Sequence, residues 1–202
     1  MTQLKLDWYK SSMVEAIIFD CFDVLVTNGL PLYYANHLDN NPDKIALIEK
    51  QVEVLNKGRI NYEMFLDNVS LIGNVPVEIT RAELDDNIPD EQLFDYIRDE
   101  LKPNYKIGML SNAGDDWLDE MIGQDRRSLF DTIVLSYAVG LTKPNTDIYH
   151  LTAKKLNVNP ESCIMIDDKT VYCQGAEKAG MKSVKYESFT QFKVLLESML
   201  LK

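Results

Sequence analysis

The sequence predicts an α/β fold, a doubly wound parallel sheet of the Rossmann-like kind with an inserted α-helical segment. The first observation is a series of short apolar runs, which read AIIF, KIGML, TIVL, CIMI and KSVKY. Such runs, bounded by turn residues, are typical of buried parallel strands. The second observation is that, from residue 100 onward, these runs alternate with helical patterns. Strand, helix and strand in this order predict right-handed crossovers on one sheet.

The helical patterns of the second half have recognisable ends. After TIVL, the segment NTDIYHLTAKKLNV predicts a helix capped at Asn145 or Thr146. After CIMI, the segment VYCQGAEKAG predicts a helix that stops at Gly180. The final segment, SFTQFKVLLESMLLK, has an amphipathic pattern and is expected to pack on the sheet.

The region that follows the first apolar run breaks this alternation. Three segments have helical spacing, and none between them resembles a strand: NPDKIALIEKQVEVLNKG, INYEMFLDNVSLIG and VEITRAELDD. Alternation then resumes with the helical pattern DEQLFDYIRDEL. We therefore predict a core domain from residues 1–27 and 89–202, and an α-helical cap from residues 28–88.

Composition narrows the possible partners. The chain has 21 basic and 32 acidic residues and a net charge of −11, which argues against nucleic-acid and membrane partners. A small phosphorylated molecule remains possible, since one local cation can override the global charge. The three cysteines have no zinc-site spacing and fit a reducing compartment. With no signal peptide or membrane span recognisable, we expect a cytoplasmic protein. The oligomeric state is left open.

Polar residues that follow the predicted strands suggest chemistry. In open α/β sheets, ligands bind at the carboxyl ends of the strands. The residues placed there are Asp20, Ser111, Asn112, Ser136, Asp167 and Asp168, and Lys143 opens the helix after the third of these strands. Each alone also fits a turn or a helix cap. Together they suit phosphoryl transfer: a carboxylate attacks phosphorus, Mg²⁺ relieves the repulsion between the acids, and a lysine and a hydroxyl orient the transferring group.

The motifs and their order resemble those of the haloacid dehalogenase-like hydrolase superfamily. IIFDCFDVL looks like its first motif, LSN its second, LTKP its third, and IMIDDKTVYCQGAEKAG its fourth. The matching order covers residues 16 to about 186. The helical insertion after the first motif resembles the small α-helical cap of this family.

The resemblance implies a role for each motif residue. Asp20 would be the nucleophile and a magnesium ligand, together with the backbone carbonyl of Phe22. Asp168 would be a further ligand, with Asp167 assisting directly or through water. Ser111 and Asn112 would hold the phosphoryl oxygens, and Lys143 would offset the charge of nucleophile and phosphate.

The first motif departs from the phosphatase pattern of this family. Phosphatases usually read Asp-x-Asp-Gly, and the second Asp protonates the leaving group. Here Phe22 occupies that position and Asp23 replaces the glycine. On an extended strand, residue i+3 points away from residue i, so we expect Asp23 to form the turn and to point away from the site.

Three functions stay open on this evidence. The first is a magnesium-dependent phosphatase of a small phosphorylated metabolite, acting through an aspartyl-phosphate. The second is a phosphate-binding module without turnover, because loss of a general acid can cost about 10²–10⁴ in rate. The third is a 2-haloacid dehalogenase, which resembles this chain in its aromatic residue after the nucleophile but generally lacks the paired acids.

The cap is expected to close over the site and to choose the substrate. Arg59 is the predicted substrate-binding residue of the cap. Tyr33, Tyr34, His37 and Tyr62 are further candidates to touch the substrate, and the tyrosines fit the core of the cap equally well.

Overall fold

The computed structural model describes residues 13–200 and shows the predicted parallel sheet. Residues 1–12 of the predicted core and the last two residues of the predicted final helix lie outside the described part. The strands are β1 (Ala16–Phe19), β2 (Lys106–Ser111), β3 (Thr132–Leu135), β4 (Cys163–Asp167) and β5 (Lys182–Lys185). All neighbours are parallel and their order is β3-β2-β1-β4-β5. The chain therefore adds strands first on one side of β1 and then on the other.

The register of the sheet brings the ends of three strands together. Phe19 at the end of β1 pairs with Met109 of β2 and with Ile166 of β4. The backbone N–H of Asp20 then donates to the carbonyl oxygen of Ile166 at 2.9 Å. Residues that follow β1, β2 and β4 consequently meet at one edge, where the strand order reverses.

Both faces of the sheet are buried. Ile17 and Phe19 face one hydrophobic cluster, and Ala16 and Ile18 face the other. This alternation follows from the two-residue period of a strand, and it explains why the first run is apolar throughout.

Ten α-helices accompany the strands in the described residues. They are α1 (Gly29–His37), α2 (Pro42–Asn56), α3 (Tyr62–Gly73), α4 (Val77–Leu84), α5 (Glu91–Tyr96), α6 (Leu118–Arg127), α7 (Ser136–Val139), α8 (Thr146–Leu156), α9 (Thr170–Lys178) and α10 (Phe189–Leu200). A π-helical turn, Ile97–Leu101, continues α5, and a 3-10 turn, Pro160–Ser162, precedes β4. Asn145 caps α8, as predicted. In α10, Phe192 packs on Phe19 with ring centroids 6.0 Å apart, as expected for a helix that covers the sheet.

Helix α1 was not predicted from the sequence. Asn28 caps it by accepting a hydrogen bond from the Leu30 backbone N–H, and Pro31 lies in its first turn. A proline is tolerated there because the first N–H groups of a helix have no partner within the helix.

The four helices between residues 28 and 88 share a hydrophobic cluster of their own. Tyr33, Ile48, Leu66 and Leu84 are among its buried members. The two connections to the core run side by side, since Thr27 N–H donates to the Ile88 carbonyl at 3.0 Å. These helices therefore pack on one another, and the bounds of the core and the cap stay a prediction.

No helix among residues 13–200 combines the length and the apolar character needed to span a bilayer.

Candidate active site

Asp20 lies just beyond the end of β1 and is 6% exposed. Its Oδ1 atom accepts hydrogen bonds from the Cys21 backbone N–H at 2.7 Å and from Lys143 Nζ at 2.8 Å. Burial raises the pKa of Asp20 to about 6; the Lys143 charge opposes this rise and the Asp167 charge adds to it. Because Oδ1 is held by two donors, the second carboxylate oxygen is the one left to react or to bind a cation.

Lys143 is buried between two acids. Its Nζ lies 2.8 Å from Asp20 Oδ1 and 2.6 Å from Asp167 Oδ2. Burial alone would lower the pKa of this ammonium, but the charges of Asp20 and Asp167 raise it above the ordinary lysine value. Lys143 therefore stays charged and holds the two carboxylates in place.

The two acids that end β4 have different surroundings. Asp167 uses both oxygens, because Oδ1 accepts from the Lys169 backbone N–H at 2.9 Å and Oδ2 binds Lys143. Asp168 Oδ1 is buried and has no hydrogen-bond partner among the described residues. Burial raises the pKa of both side chains. Of the pair, Asp168 thus has the oxygen that still needs a ligand.

The acids are close enough for a shared cation. One carboxylate oxygen from each of Asp20, Asp167 and Asp168 lies within 4.8 Å of the other two. Carboxylate oxygens are the protein ligands that Mg²⁺ prefers, and a cation would satisfy the unpartnered Asp168 oxygen. The residues present therefore fit a magnesium site.

Ser111 and Asn112 follow β2 and play different parts. The Ser111 Oγ atom is buried without a hydrogen-bond partner among residues 13–200, so it is free to donate to a ligand. The Asn112 side chain is occupied: Oδ1 accepts from the Lys143 N–H at 2.8 Å, and Nδ2 donates to the Lys143 carbonyl at 3.1 Å and to the Tyr172 hydroxyl at 3.3 Å. Asn112 thus positions the segment that carries Lys143, and its predicted contact with a phosphoryl group stays a prediction.

The chain turns sharply after Asp20. Asp23 has a φ of 60°, the left-handed conformation in which the family usually has glycine, and its N–H donates to the Val26 carbonyl at 2.8 Å. The turn was predicted, but the expectation that Asp23 points away was wrong. Asp23 lines the same cleft as Asp20 and Phe22, because the chain leaves the extended conformation before the strand alternation applies. Its Oδ2 accepts from Asn28 Nδ2 at 3.0 Å.

A cleft of about 1050 Å³ opens from Asp20 toward the helices of residues 28–88. Tyr34 and Tyr62 line it, as the sequence suggested, whereas Tyr33 is buried inside the cluster of these helices. Arg59 lies on an exposed turn and is not among the lining residues, so its substrate contact stays a prediction without support from this geometry.

The lining residues that the sequence did not indicate include Arg81, Trp117, Lys169 and Tyr172. Lys169 and Tyr172 come shortly after the acid pair in the sequence, and this nearness could have indicated that they line the cleft. The Tyr172 ring lies 4.8 Å from Lys143 Nζ and 5.6 Å from Lys169 Nζ. Trp117 and Arg81 had no such signal, since they reach the cleft only through the packing of helices.

Comparisons with known proteins identify the family of the chain and proteins that it resembles. The model of the haloacid dehalogenase-like hydrolase family matches residues 14–180. The 6-phosphogluconate phosphatase of Escherichia coli is 28% identical over 184 residues, which cover 85% of this chain and 81% of the relative. A similar structure is that of a haloacid dehalogenase-like family enzyme from Bacteroides thetaiotaomicron in complex with magnesium and inorganic phosphate. It has a TM-score of 0.70 and 20% identity, and it covers 90% of this chain and 98% of that one.

A dehalogenase shares the fold as well. The L-2-haloacid dehalogenase of Xanthobacter autotrophicus, solved with chloropropionic acid covalently bound, has a TM-score of 0.65 and 15% identity, over 92% of this chain and 83% of that one. The α/β fold and the family match define the class of the protein as a hydrolase. The chain belongs to the haloacid dehalogenase-like hydrolase family.

Proposed function

We propose that this protein is a magnesium-dependent phosphatase of a small phosphorylated metabolite that acts through an aspartyl-phosphate on Asp20. One observation carries this proposal. Two buried polar atoms, Ser111 Oγ and Asp168 Oδ1, lack hydrogen-bond partners among the described residues and lie beside a carboxylate that a buried lysine holds in place. A phosphoryl group and its cation would satisfy both atoms at once.

The chemistry takes two steps. In the first, the free oxygen of Asp20 attacks phosphorus, the bond from phosphorus to the alcohol oxygen breaks, and the departing oxygen takes a proton from water. In the second, a water attacks the phosphorus of the acyl phosphate and gives its proton to solvent. The bond to Asp20 then breaks, which releases phosphate and restores the carboxylate.

This chain's own residues would stabilise charge in both steps. Lys143 keeps Asp20 ionised and oriented, and the Ser111 hydroxyl donates to a phosphoryl oxygen. Asp20, the Phe22 carbonyl and Asp168 would hold Mg²⁺, with Asp167 assisting. Bound there, the cation would supply charge neutralisation to the phosphoryl oxygens.

Two other functions compete with the phosphatase function. A phosphate-binding module without turnover is favoured by Phe22, which replaces the usual acid of the first motif and is partly buried against the core cluster. A 2-haloacid dehalogenase has less support, because this chain keeps the acid pair Asp167 and Asp168 within reach of Asp20.

The decisive experiment compares the protein with its Asp20→Asn variant on a panel of phosphometabolites, with magnesium and with chelator. We expect magnesium-dependent phosphate release from the parent and a loss on the order of 10⁴-fold or more in the variant, because the nucleophile is gone. The variant should keep the circular dichroism spectrum of the parent. Undiminished hydrolysis by a folded Asp20→Asn protein would refute the nucleophile.

The alternatives leave different signatures. Magnesium and phosphate binding by calorimetry without any turnover would favour the binding module. Chloride release from a 2-chloroacid without metal would identify a dehalogenase.

A further inference from the structure

The wall of the cleft formed by residues 28–88 carries charges that the phosphoryl chemistry does not use. Four carboxylates and two cations line this wall: Glu49, Glu53, Glu63, Asp85, Lys57 and Arg81. Since the phosphoryl end is fixed by Asp20 and Lys143, this wall faces the organic half of a bound phosphoester. Its charges therefore select what that half is.

Both cations on this wall are already neutralised. Lys57 Nζ bonds to Glu53 Oε1, and Arg81 Nη2 lies 2.5 Å from Glu63 Oε2. An anionic substituent, such as a carboxylate or a second phosphate, would therefore compete with a carboxylate of the protein for either cation of this wall.

Glu49 and Asp85 differ from the other two carboxylates. Neither has an ion pair within 4.0 Å in the described part of the chain, and each accepts only a tyrosine hydroxyl at the cleft. Tyr34 donates to Glu49 Oε1 at 2.8 Å, and Tyr62 donates to Asp85 Oδ1 at 2.5 Å. A carboxylate can accept further donors at its second oxygen, so both remain able to bind a cationic group.

Aromatic rings accompany these carboxylates. Tyr62 lies 4.9 Å from Trp117 and 5.9 Å from Phe65, measured between ring centroids, and all three line the cleft. Aromatic faces attract cations, most strongly where water is partly excluded. The guanidinium of Arg81 already lies 6.0 Å from the Tyr62 centroid, whereas no cation lies over the Trp117 ring in the described residues.

The opposite wall does not reverse the charge of this region. Within residues 13–200, Lys169 of this wall has no ion pair. Its Nζ lies 5.6 Å from the Tyr172 ring, and its charge interacts with Asp168 and Asp20 at the phosphoryl end. Lys169 also interacts with Glu49 across the cleft, and Arg81 interacts with Asp85, but the four carboxylates of the wall formed by residues 28–88 still outnumber its two cations. Asp115 and Glu120 add negative charge to the same opposite wall.

We propose that the substrate is a phosphomonoester whose organic half carries a positively charged amine, bound between Glu49, Asp85 and the rings of Tyr62 and Trp117. This inference rests on the proposed phosphatase function and adds the class of its substrate. It also predicts a difference from the E. coli relative named for 6-phosphogluconate, because both cations that line the wall formed by residues 28–88 are paired with carboxylates of the protein.

The test uses three aryl phosphates that differ only in a remote charge: para-(aminomethyl)phenyl, para-methylphenyl and para-(carboxymethyl)phenyl phosphate. We expect kcat/KM to fall in this order, by about three- to tenfold per step, the range of a partly screened charge contact. Glu49→Gln and Asp85→Asn should each reduce the advantage of the cationic compound about threefold. Their matched controls, Glu78→Gln and Asp86→Asn, change exposed acids that do not line the cleft and should leave it unchanged.

The outcomes separate this inference from the proposed function. Turnover of all three compounds at equal kcat/KM, or a preference for the carboxylate, would overturn the amine assignment and leave the phosphatase intact. Turnover of none would count against the phosphatase. In that case, calorimetric binding of the same compounds to the folded Asp20→Asn protein decides the amine assignment, and equal affinities would overturn it.

Discussion

The two ends of the cleft hold their charges in different ways. At the core end, which lies next to Asp20, the side chains of Lys143 and Asp167 are 0% exposed, and their ion pair is shielded from water. At the cap end, which is the wall formed by residues 28–88, Arg81 and Glu63 form a pair whose side chains are 39% and 70% exposed. A buried pair is costly to break, because the remaining charge loses both its partner and its hydration. An exposed pair contributes little, since water replaces the partner.

This difference assigns separate tasks to the two ends. The core end has a fixed arrangement that suits one reaction, while the cap end can change its side chains at small cost in stability. Substrate choice can therefore vary among relatives that keep the same reaction, as expected when functional sites are carried on a common fold.

The largest expected effect on stability comes from removing Lys143, the cation of the buried pair. Lys143→Met should lower the free energy of unfolding by about 3–5 kcal/mol at neutral pH, because Asp20 and Asp167 lose their buried counter-ion. Lys185→Met, which removes an exposed lysine paired with Glu187, should cost less than about 1 kcal/mol. Urea denaturation of both variants measures this contrast.

The loss at Lys143 should depend on pH. A carboxyl group whose pKa is raised in the folded state favours folding when protonated and opposes it when ionised. The folded pKa of Asp20 is already about 6 and should rise further in Lys143→Met. The destabilisation should therefore be smaller at pH 5 than at pH 7.5, values chosen on either side of about 6. Equal losses at both pH values would contradict the buried-charge explanation.

The residues of the core end could be predicted from the sequence more completely than those of the cap end, for a physical reason. Asp20, Ser111 and Asp167 sit at ends of parallel strands, and the geometry of the sheet brings such residues to one edge whatever else the chain does. The positions of these residues after the predicted strands therefore predicted that they lie close together.

The cap end has no such rule. Trp117, the residue before α6, lies 4.9 Å from Tyr62 of α3 between ring centroids, and no periodicity in the sequence predicts such a contact. The wrong orientation of Asp23 has a local cause, since alternation was applied to a residue that had already left the strand. Helix α1 was missed because its Gly29 and Pro31 argue against a helix unless Asn28 is recognised as its cap.

The next effect concerns Phe22, which lies at the boundary between the two ends. With phenylalanine at the acid position, the parent should favour aryl or acyl phosphates, whose leaving groups need a proton least. Phe22→Asp should speed the hydrolysis of alkyl phosphates selectively, by about 10–10³-fold, which is below a full general-acid effect because the surroundings were not shaped for it. Measuring kcat separately from KM removes effects on binding.

Packing is the main confounder at this position. Phe22 contacts the core cluster, so Phe22→Leu is the matched control that changes packing without adding an acid. If Phe22→Asp folds and changes aryl and alkyl substrates by the same factor, Phe22 does not occupy a vacant acid position. Asp23, which lines the cleft, or a residue of the cap would then be the candidate acid.

The smallest expected effect is at Tyr62, whose hydroxyl donates to Asp85 at the cap end. Tyr62→Phe removes this hydrogen bond but keeps the ring beside Trp117, and Asp85 is exposed, so water can replace the donor. The free energy of unfolding should fall by only about 0.5–1 kcal/mol. Because the charge of Asp85 remains, the preference for a cationic phosphoester should persist, whereas Asp85→Asn should weaken it. A loss of preference in Tyr62→Phe equal to that in Asp85→Asn would show that the orientation of the carboxylate, rather than its charge, selects the substrate.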